Sequence, residues 1–415
     1  MLSAGQSDER PFWQQRLSER LGRVDAAGLR RVRRVLSSPQ QVTVSVNGQT
    51  LINFSSNDYL GLAAHPAVIE AMQRGCSHYG VGAGAAHLVS GHSEVHEVLE
   101  QALAEFTGRE RALLFSTGYM ANLGILSALA ERGDWILEDR LNHASLLDGA
   151  LLSGARLLRY PHADTATLAT RLQDCPVPNR LIVTDGVFSM EGDLAPLPAL
   201  VRLAKQHAAC LIVDDAHGLG VLGEQGRGSL EHWGLGGQET VPVLMGTLGK
   251  ALGTFGAFVA GAADLIECLL QTARPFIYTT ALPPALAQAT LASLRLVREE
   301  SWRRQRLNLN IERFRQRLAE TGWASLLLPS ITPIQALVLG SNQTATTVGR
   351  RLSQAGFWVG VIRPPTVPAD TARLRIALSA LHTDSQIDRL VATLDDCLRL
   401  SIPARRFEPG GVAPC

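Results

Sequence analysis

The sequence predicts an α/β protein, with a large domain built on a mostly parallel sheet and a smaller α+β domain at its C-terminal end. Beyond Gly108, short apolar runs of strand length alternate with segments of helical period, the pattern of strands buried on both faces between crossover helices. Several of these runs end in small or polar residues, and open α/β sheets gather ligands beyond the carboxyl ends of their strands. With 415 residues the chain is long enough to divide its core between two domains.

Taken in order, residues 12–36 come first. Their apolar residues recur at helical spacing (Leu17, Leu21, Val24, then Leu29, Val32, Val35 and Leu36) among Arg30, Arg31, Arg33 and Arg34, which predicts a basic amphipathic arm. Such a charge run usually faces water; the alternative is that one arginine meets an acidic substrate. Residues 42–46 and 51–54 flank Asn47-Gly48, a two-residue hairpin signal. His65-Pro66 opens a helix to about Tyr79. The glycine-rich stretch at 80–84 follows a helix, whereas a dinucleotide fingerprint follows a strand, so that reading is rejected. His92 and His96 are four apart, as on a helical face, but lack the HExxH arrangement, and no metal is expected.

Strands are expected at 112–115, 135–137, 181–184, 211–214 and 243–245, with helices from about 118 to 130 and at 197–206. Residues 274–280 and Leu282-Pro283-Pro284 close the large domain, and one long charged helix, about 286–318, leads away. Strands near 334–339 and 374–378 with a helix at 346–355 suggest the smaller domain, and a rigid proline-rich loop spans 362–368. The expected boundaries are an arm and hairpin at 1–55, the large domain at 56–295, the small domain at 296–402 and a tail at 403–415.

Composition excludes several functions. The 39 basic and 38 acidic residues leave a net charge of +1, so there is no global field for nucleic acid or acidic lipid. Six cysteines (Cys76, Cys175, Cys210, Cys268, Cys397 and Cys415) form no CxxC pair, which argues against zinc and a disulfide framework. The N-terminus lacks the apolar core of a signal peptide, and the best apolar stretch, 252–270, is interrupted by Asp264 and Glu267. A cytoplasmic protein without nucleic-acid or membrane partners is expected.

The chemistry centres on Lys250, which lies among small and apolar residues in VPVLMGTLGKALGTFGAFVAG, 241–261. Burial disfavours the ammonium and lowers its pKa, as an amine that condenses with a carbonyl requires. The plain alternative is a lysine that snorkels from a loop into water. The other strand ends favour the first reading. They deliver Ser116-Thr117-Gly118-Tyr119, a turn whose helix-terminal amides can hold a phosphate, then 185–189, then Asp214-Asp215-Ala216-His217, and finally Thr247. A Schiff-base lysine, a carboxylate for a ring nitrogen and a phosphate cup are together what pyridoxal 5′-phosphate requires. Asp214 would pair with the ring nitrogen, His217 with the 3-hydroxyl, and Thr247 with the amides of Gly118 and Tyr119 would take the phosphate. A Walker A loop is excluded by Leu244 and Ala251, and there is no GxSxG elbow for a serine hydrolase.

Five ordered motifs carry a family resemblance. They are Asn57-Asp58-Tyr59-Leu60-Gly61-Leu62, Asp139-Arg140-Leu141-Asn142-His143-Ala144-Ser145, Gly186-Val187-Phe188-Ser189-Met190-Glu191-Gly192-Asp193, Asp214-Asp215-Ala216-His217-Gly218 and Thr247-Leu248-Gly249-Lys250. Over about residues 12–400 the chain resembles the α-oxoamine synthases, fold-type I (aspartate-aminotransferase-like) pyridoxal-phosphate acyltransferases that join an amino acid to an acyl thioester with loss of carbon dioxide.

The resemblance implies that Lys250 holds the cofactor and then removes the α-proton of L-alanine. It implies that His143 stacks on the ring and donates protons to the acyl carbonyl, while Ser189 and His217 hydrogen-bond the ring oxygen. Asn57 and Arg363 would line the alanine carboxylate site, and Thr366 would contact substrate. The 362–368 loop most resembles the branch of biotin synthesis that uses a pimeloyl thioester, carried by coenzyme A or acyl carrier protein. In that branch an arm arginine, here Arg31 or its neighbour Arg30, meets the distal carboxylate. A homodimer with active sites at the subunit interface is also implied, with Tyr278-Thr279-Thr280 reaching the partner's phosphate. The alternatives are a relative acting on glycine and acetyl-CoA, and a non-catalytic cofactor-binding regulator, against which Lys250, Asp214 and His143 argue.

Overall fold

A computed structural model describes residues 10–402; the expected tail and Cys415 lie outside the described residues. The arm helix α1 (Phe12–Ala26) is shorter than its periodicity suggests. None of its residues is buried, so packing offers nothing to extend it past Gly28, whose φ of +63° ends the helical path. Arg30 folds back onto Asp25 with contacts of 2.5 and 2.8 Å, and residues 30–35 continue without helix.

Strands β1 (Thr43–Val46) and β2 (Gln49–Phe54) form the hairpin, with Asn47 and Gly48 both at positive φ, +49° and +79°. Two positive φ values make the type I′ turn that Asn-Gly favours. After helices α2 (Pro66–Tyr79) and α3 (Glu94–Thr107), the large sheet is built from β3 (Arg111–Phe115), β4 (Trp135–Asp139), β5 (Arg156–Tyr160), β6 (Arg180–Asp185), β7 (Cys210–Asp214), β8 (Val243–Thr247) and β9 (Ala257–Gly261). Its order is β3-β9-β8-β7-β6-β4-β5. Only β9 runs antiparallel to its neighbours, so the carboxyl ends of the other six lie along one edge. Helices α4 (Gly118–Leu129) and α5 (Ala144–Ser153) start at that edge.

Each face of the sheet has its own core. One packs Ile125, Leu126, Leu146 and Ile266 against Leu113, Val243 and Val259; the other packs Leu168, Leu172, Leu197 and Leu200 against Leu137, Ile182 and Val213. Covering both faces accounts for the near-continuous apolar strands.

The C-terminal sheet contains β10 (Ile334–Gly340), β11 (Phe357–Ile362) and β12 (Ala372–Ala377), in the order β1-β2-β11-β12-β10. The hairpin assigned to residues 1–55 is therefore the edge of the small domain's sheet, through parallel pairing of β2 with β11. The boundary placed at residue 295 falls inside the helix Pro284–Glu299, which packs on α2 and α3. The single long helix expected there is two, because Trp302–Glu320 starts afresh. Arg304 donates to the Val297 carbonyl at 2.6 Å, occupying an acceptor that a continuous helix would have used. No helix among the described residues is long and apolar enough to cross a membrane.

Candidate active site

The carboxyl ends of β3, β4, β6, β7 and β8 bring the motif residues into one crevice. At the end of β7, Asp214 is buried, with Oδ1 accepting from the Ala216 amide at 3.0 Å and Oδ2 from Asn122 Nδ2 at 2.7 Å. The same Asn122 amide donates to Ser145 Oγ at 2.8 Å, and Ser145 Oγ lies 2.7 Å from His143 Nδ1. A polar chain thus connects Asp214 to His143, the N-cap of α5. The backbone N–H of His143 donates to Asp185 Oδ2 at 3.0 Å, fixing the cap to the end of β6.

Across the crevice, His217 is buried between Tyr59 Oη, 2.7 Å from Nδ1, and Lys250 Nζ, 2.8 Å from Nε2. Burial and the neighbouring cations Lys250 and Arg375 hold His217 well below its ordinary pKa. A neutral imidazole between a phenol and an amine can accept from one and donate to the other. Burial also lowers the Lys250 amine to about 8, despite the opposing charges of Asp214 and Asp185. Burial and the nearby Asp214 charge push Asp185 well above the carboxylate range.

These residues fit pyridoxal phosphate on their own chemistry. Among the described residues no Lys, Arg or His forms an ion pair with buried Asp214, so its charge remains available to a cationic ring nitrogen. Thr117 caps α4 by accepting from Met120 N at 3.2 Å, leaving the first-turn amides of Gly118 and Tyr119 without intrahelical acceptors. Thr247, which ends β8, donates to the Gly256 carbonyl at 3.1 Å and accepts from Gly249 N at 3.3 Å. Tyr119 is 41 % exposed, its ring edge-on to His143 and its hydroxyl on Asp148.

The amino-acid end of the crevice differs from the expectation. Arg363, expected at a carboxylate site beside Asn57, instead donates to the Gly28 carbonyl at 2.6 Å. The arginine beside Asn57 is Arg375 of β12, whose Nη1 and Nη2 both donate to Asn57 Oδ1 at 3.1 Å, while Nε donates to the Ser189 carbonyl at 2.6 Å. The physical reason is strand geometry. Arg375 points off a central strand towards the crevice, whereas Arg363 follows β11 in the loop facing the arm. Arg375 is buried with only neutral acceptors, which leaves its charge open to an anion. Its sequence signal was the Ala372-Arg373-Leu374-Arg375-Ile376 alternation, arginines two apart in an otherwise apolar strand.

Arg30, Arg31, Arg34, Arg350, Arg363 and Thr366 line a separate cleft of about 930 Å³ between the arm and the β11 loop. Arg31 is exposed there, whereas Arg30 is already tied to Asp25. His92 precedes α3 and does not share its face with His96. Ring nitrogens of His87, His92 and His96 cluster within 4.8 Å. However, His96 Nδ1 accepts from Ser93 N and Nε2 contacts the Leu282 carbonyl, which takes it out of any ligand set.

Comparison with known proteins matches residues 49–394 to the aminotransferase class I and II family. The chain is 61% identical over 378 residues to an 8-amino-7-oxononanoate synthase of Methylococcus capsulatus, covering 91% of this chain and 97% of that protein. It is 59% identical over 384 residues to one from Stutzerimonas stutzeri, covering 92% and 97%. Among solved structures it resembles a serine palmitoyltransferase from S. paucimobilis with a bound PLP–myriocin aldimine, with TM-score 0.88, 32% identity and coverage of 94% and 99%. An 8-amino-7-oxononanoate synthase from Francisella tularensis aligns with TM-score 0.73 and 32% identity, covering 84% and 98%. Backbone likeness spans enzymes of different substrates, so sequence identity carries the finer assignment. By the family match and these identities, the chain belongs to the aminotransferase class I and II family, on the branch of the 8-amino-7-oxononanoate synthases.

Proposed function

We propose that the chain condenses L-alanine with a pimeloyl thioester, releasing carbon dioxide and the free thiol to give 8-amino-7-oxononanoate in biotin synthesis, with pyridoxal 5′-phosphate as cofactor. The relatives named above support the reaction. The observation that carries it is the Lys250 amine, 2.8 Å from neutral His217, in a crevice that also holds buried Asp214 and the un-neutralised guanidinium of Arg375.

When bound, pyridoxal phosphate supplies an electron sink for negative charge developing at the α-carbon of alanine. Asp214 holds the ring nitrogen, and Ser189 and His217 the ring oxygen; the amides of Gly118 and Tyr119 with Thr247 hold the phosphate. Arg375, supported by Asn57, receives the alanine carboxylate. Lys250 moves the α-proton, its lowered pKa placing a useful fraction of free amine near neutrality. His143 has Nδ1 engaged with Ser145, which leaves Nε2 for a proton transfer at the acyl carbonyl. The arginine-lined cleft suits the acyl chain's distal carboxylate, with Arg31 or Arg30, Arg363 and Thr366 as its contacts. The carrier is coenzyme A or acyl carrier protein. The working form is a cytoplasmic homodimer with sites at the subunit interface, where Tyr278, 71 % exposed in the single chain, approaches the partner.

Turnover assays with purified protein test the reading. Pimeloyl thioester and L-alanine should release carbon dioxide and thiol; activity with acetyl-CoA and glycine alone would assign the other branch, and a monomer with full activity would remove the dimer.

A further inference from the structure

The loop that carries Ser189 leaves the large sheet after β6, yet the small domain holds it residue by residue. The Ser189 carbonyl accepts from Arg375 Nε at 2.6 Å, and the Met190 carbonyl from Arg373 Nη1 at 3.4 Å. Glu191 Oε1 pairs with Arg373 Nη1 at 2.8 Å. The Gly192 carbonyl accepts from Ser330 Oγ at 2.8 Å and Thr332 Oγ1 at 2.9 Å. Beyond it, Asp193 Oδ2 lies 2.8 Å from His162 Nε2, which returns the loop to the large domain. The fit leaves no slack: Gly192 has φ +84°, and a Cβ there would stand 2.2 Å from the Ile334 carbonyl oxygen.

Arg373 and Arg375 stand two apart on β12 and so project to the same face. They do different things with their charge. Arg373 is neutralised by Glu191, and its remaining donors reach the Thr371 carbonyl and hydroxyl at 3.0 and 3.1 Å. Arg375 meets only neutral acceptors. An ion pair with side chains 5 % and 12 % exposed contributes little net stability, because desolvation offsets its attraction, but a planar guanidinium held at Thr371 by two nitrogens and at Glu191 by the third fixes two backbones relative to each other.

We infer that Glu191 and Arg373 are positioning residues for the amino-acid subsite, their ion pair locking the Ser189 loop to β12 so that Arg375 and Ser189 keep one fixed separation. This rests on Arg375 receiving the alanine carboxylate and Ser189 facing the cofactor. The joint transmits small-domain position to the cofactor slot without either residue touching substrate.

The test is steady-state kinetics on the cofactor-loaded enzyme carrying Glu191→Gln, with Arg375→Lys alongside. Glu191→Gln should raise KM for alanine about tenfold, the equivalent of about 1.4 kcal/mol, leave KM for the thioester within about twofold, and shift the visible absorbance of the bound cofactor. Glu191→Asp, which keeps the charge with shorter reach, should recover part of the alanine affinity. A lower Tm with unchanged KM for alanine and an unchanged spectrum would overturn the inference, since a purely structural pair predicts that result. Thr332→Val removes one of two donors to Gly192 and keeps the question open to measurement if Glu191→Gln does not fold; it should raise KM for alanine about threefold, and no rise would count against the joint. If Arg375→Lys also leaves alanine KM unchanged, the subsite assignment itself fails; if only Arg375→Lys raises it, the joint alone is refuted.

Discussion

Replacing Arg375 by Lys tests where the amino acid binds. The guanidinium makes contacts in two directions, to the Ser189 carbonyl at 2.6 Å and to Asn57 Oδ1 through both terminal nitrogens at 3.1 Å. A lysine keeps the charge but has one nitrogen on a flexible stem, so it cannot span these acceptors and also present two donors to a carboxylate. Losing one charge-assisted hydrogen bond costs about 2 kcal/mol, or about 30-fold in kcat/KM for alanine. Arg375→Gln removes the charge as well and should cost about 4 kcal/mol, roughly a thousandfold. The assay is initial rate against alanine at saturating thioester, then against thioester at saturating alanine. Arg363→Lys provides the contrast, with its effect expected on the thioester because Arg363 lines the arm cleft. A change under about threefold in Arg375→Lys, together with a large alanine defect in Arg363→Lys, would refute the placement.

The free amine of Lys250 has its pKa lowered from 10.5 to about 8 by burial. Cofactor capture by cofactor-free protein should therefore quicken about tenfold between pH 7 and 9, followed by visible absorbance; a flat profile would contradict it, and Lys250→Ala should abolish both covalent capture and turnover. Because the unfolded chain binds the extra proton between pH 8 and 10.5, this lysine adds stability as pH rises through that window. His162 behaves oppositely. Burial disfavours its charge, but the hydrogen bonds to Asp139 and Asp193 prevail and raise it to about 10 from 6.5. Its contribution is full below pH 6.5 and lost as pH rises through 10, so the stability gap between wild type and His162→Gln should narrow across that range in denaturant titrations. Gly228→Ala would place a Cβ 1.9 Å from Asp215 Oδ2 at φ +92°; a loss of about 2 kcal/mol or more is expected by thermal unfolding.

Much of the site was readable because its residues follow strand ends. Asp214, His217, Thr247 and Lys250 each occur within a few residues of an apolar run, and a parallel sheet aligns those ends without further information. The hairpin was readable for a local reason too, since Asn-Gly tolerates the two positive φ values its turn requires. The extent of the arm helix was not, because periodicity marks an apolar stripe but not whether anything covers it, and α1 buries none of its residues. The split at residues 300–301 depends on Arg304 reaching a backbone carbonyl seven residues earlier, a contact that no propensity encodes.

The sequence by itself determined the fold class and the family, because these rest on local patterns: period, strand-end residues and ordered motifs. Only the tertiary structure decided which arginine shares Asn57. Arg363 and Arg375 lie twelve positions apart, and the alternation around Arg375 marks a strand without saying what its guanidinium meets. The choice depends on β12 lying between β10 and β11, which aims Arg375 at residues more than a hundred positions away in sequence. Long-range pairing also joined the N-terminal hairpin to the C-terminal sheet and let the small domain hold the Ser189 loop. Those contacts follow from the packing of the whole chain, which sets the direction of each side chain after the local pattern has set its strand.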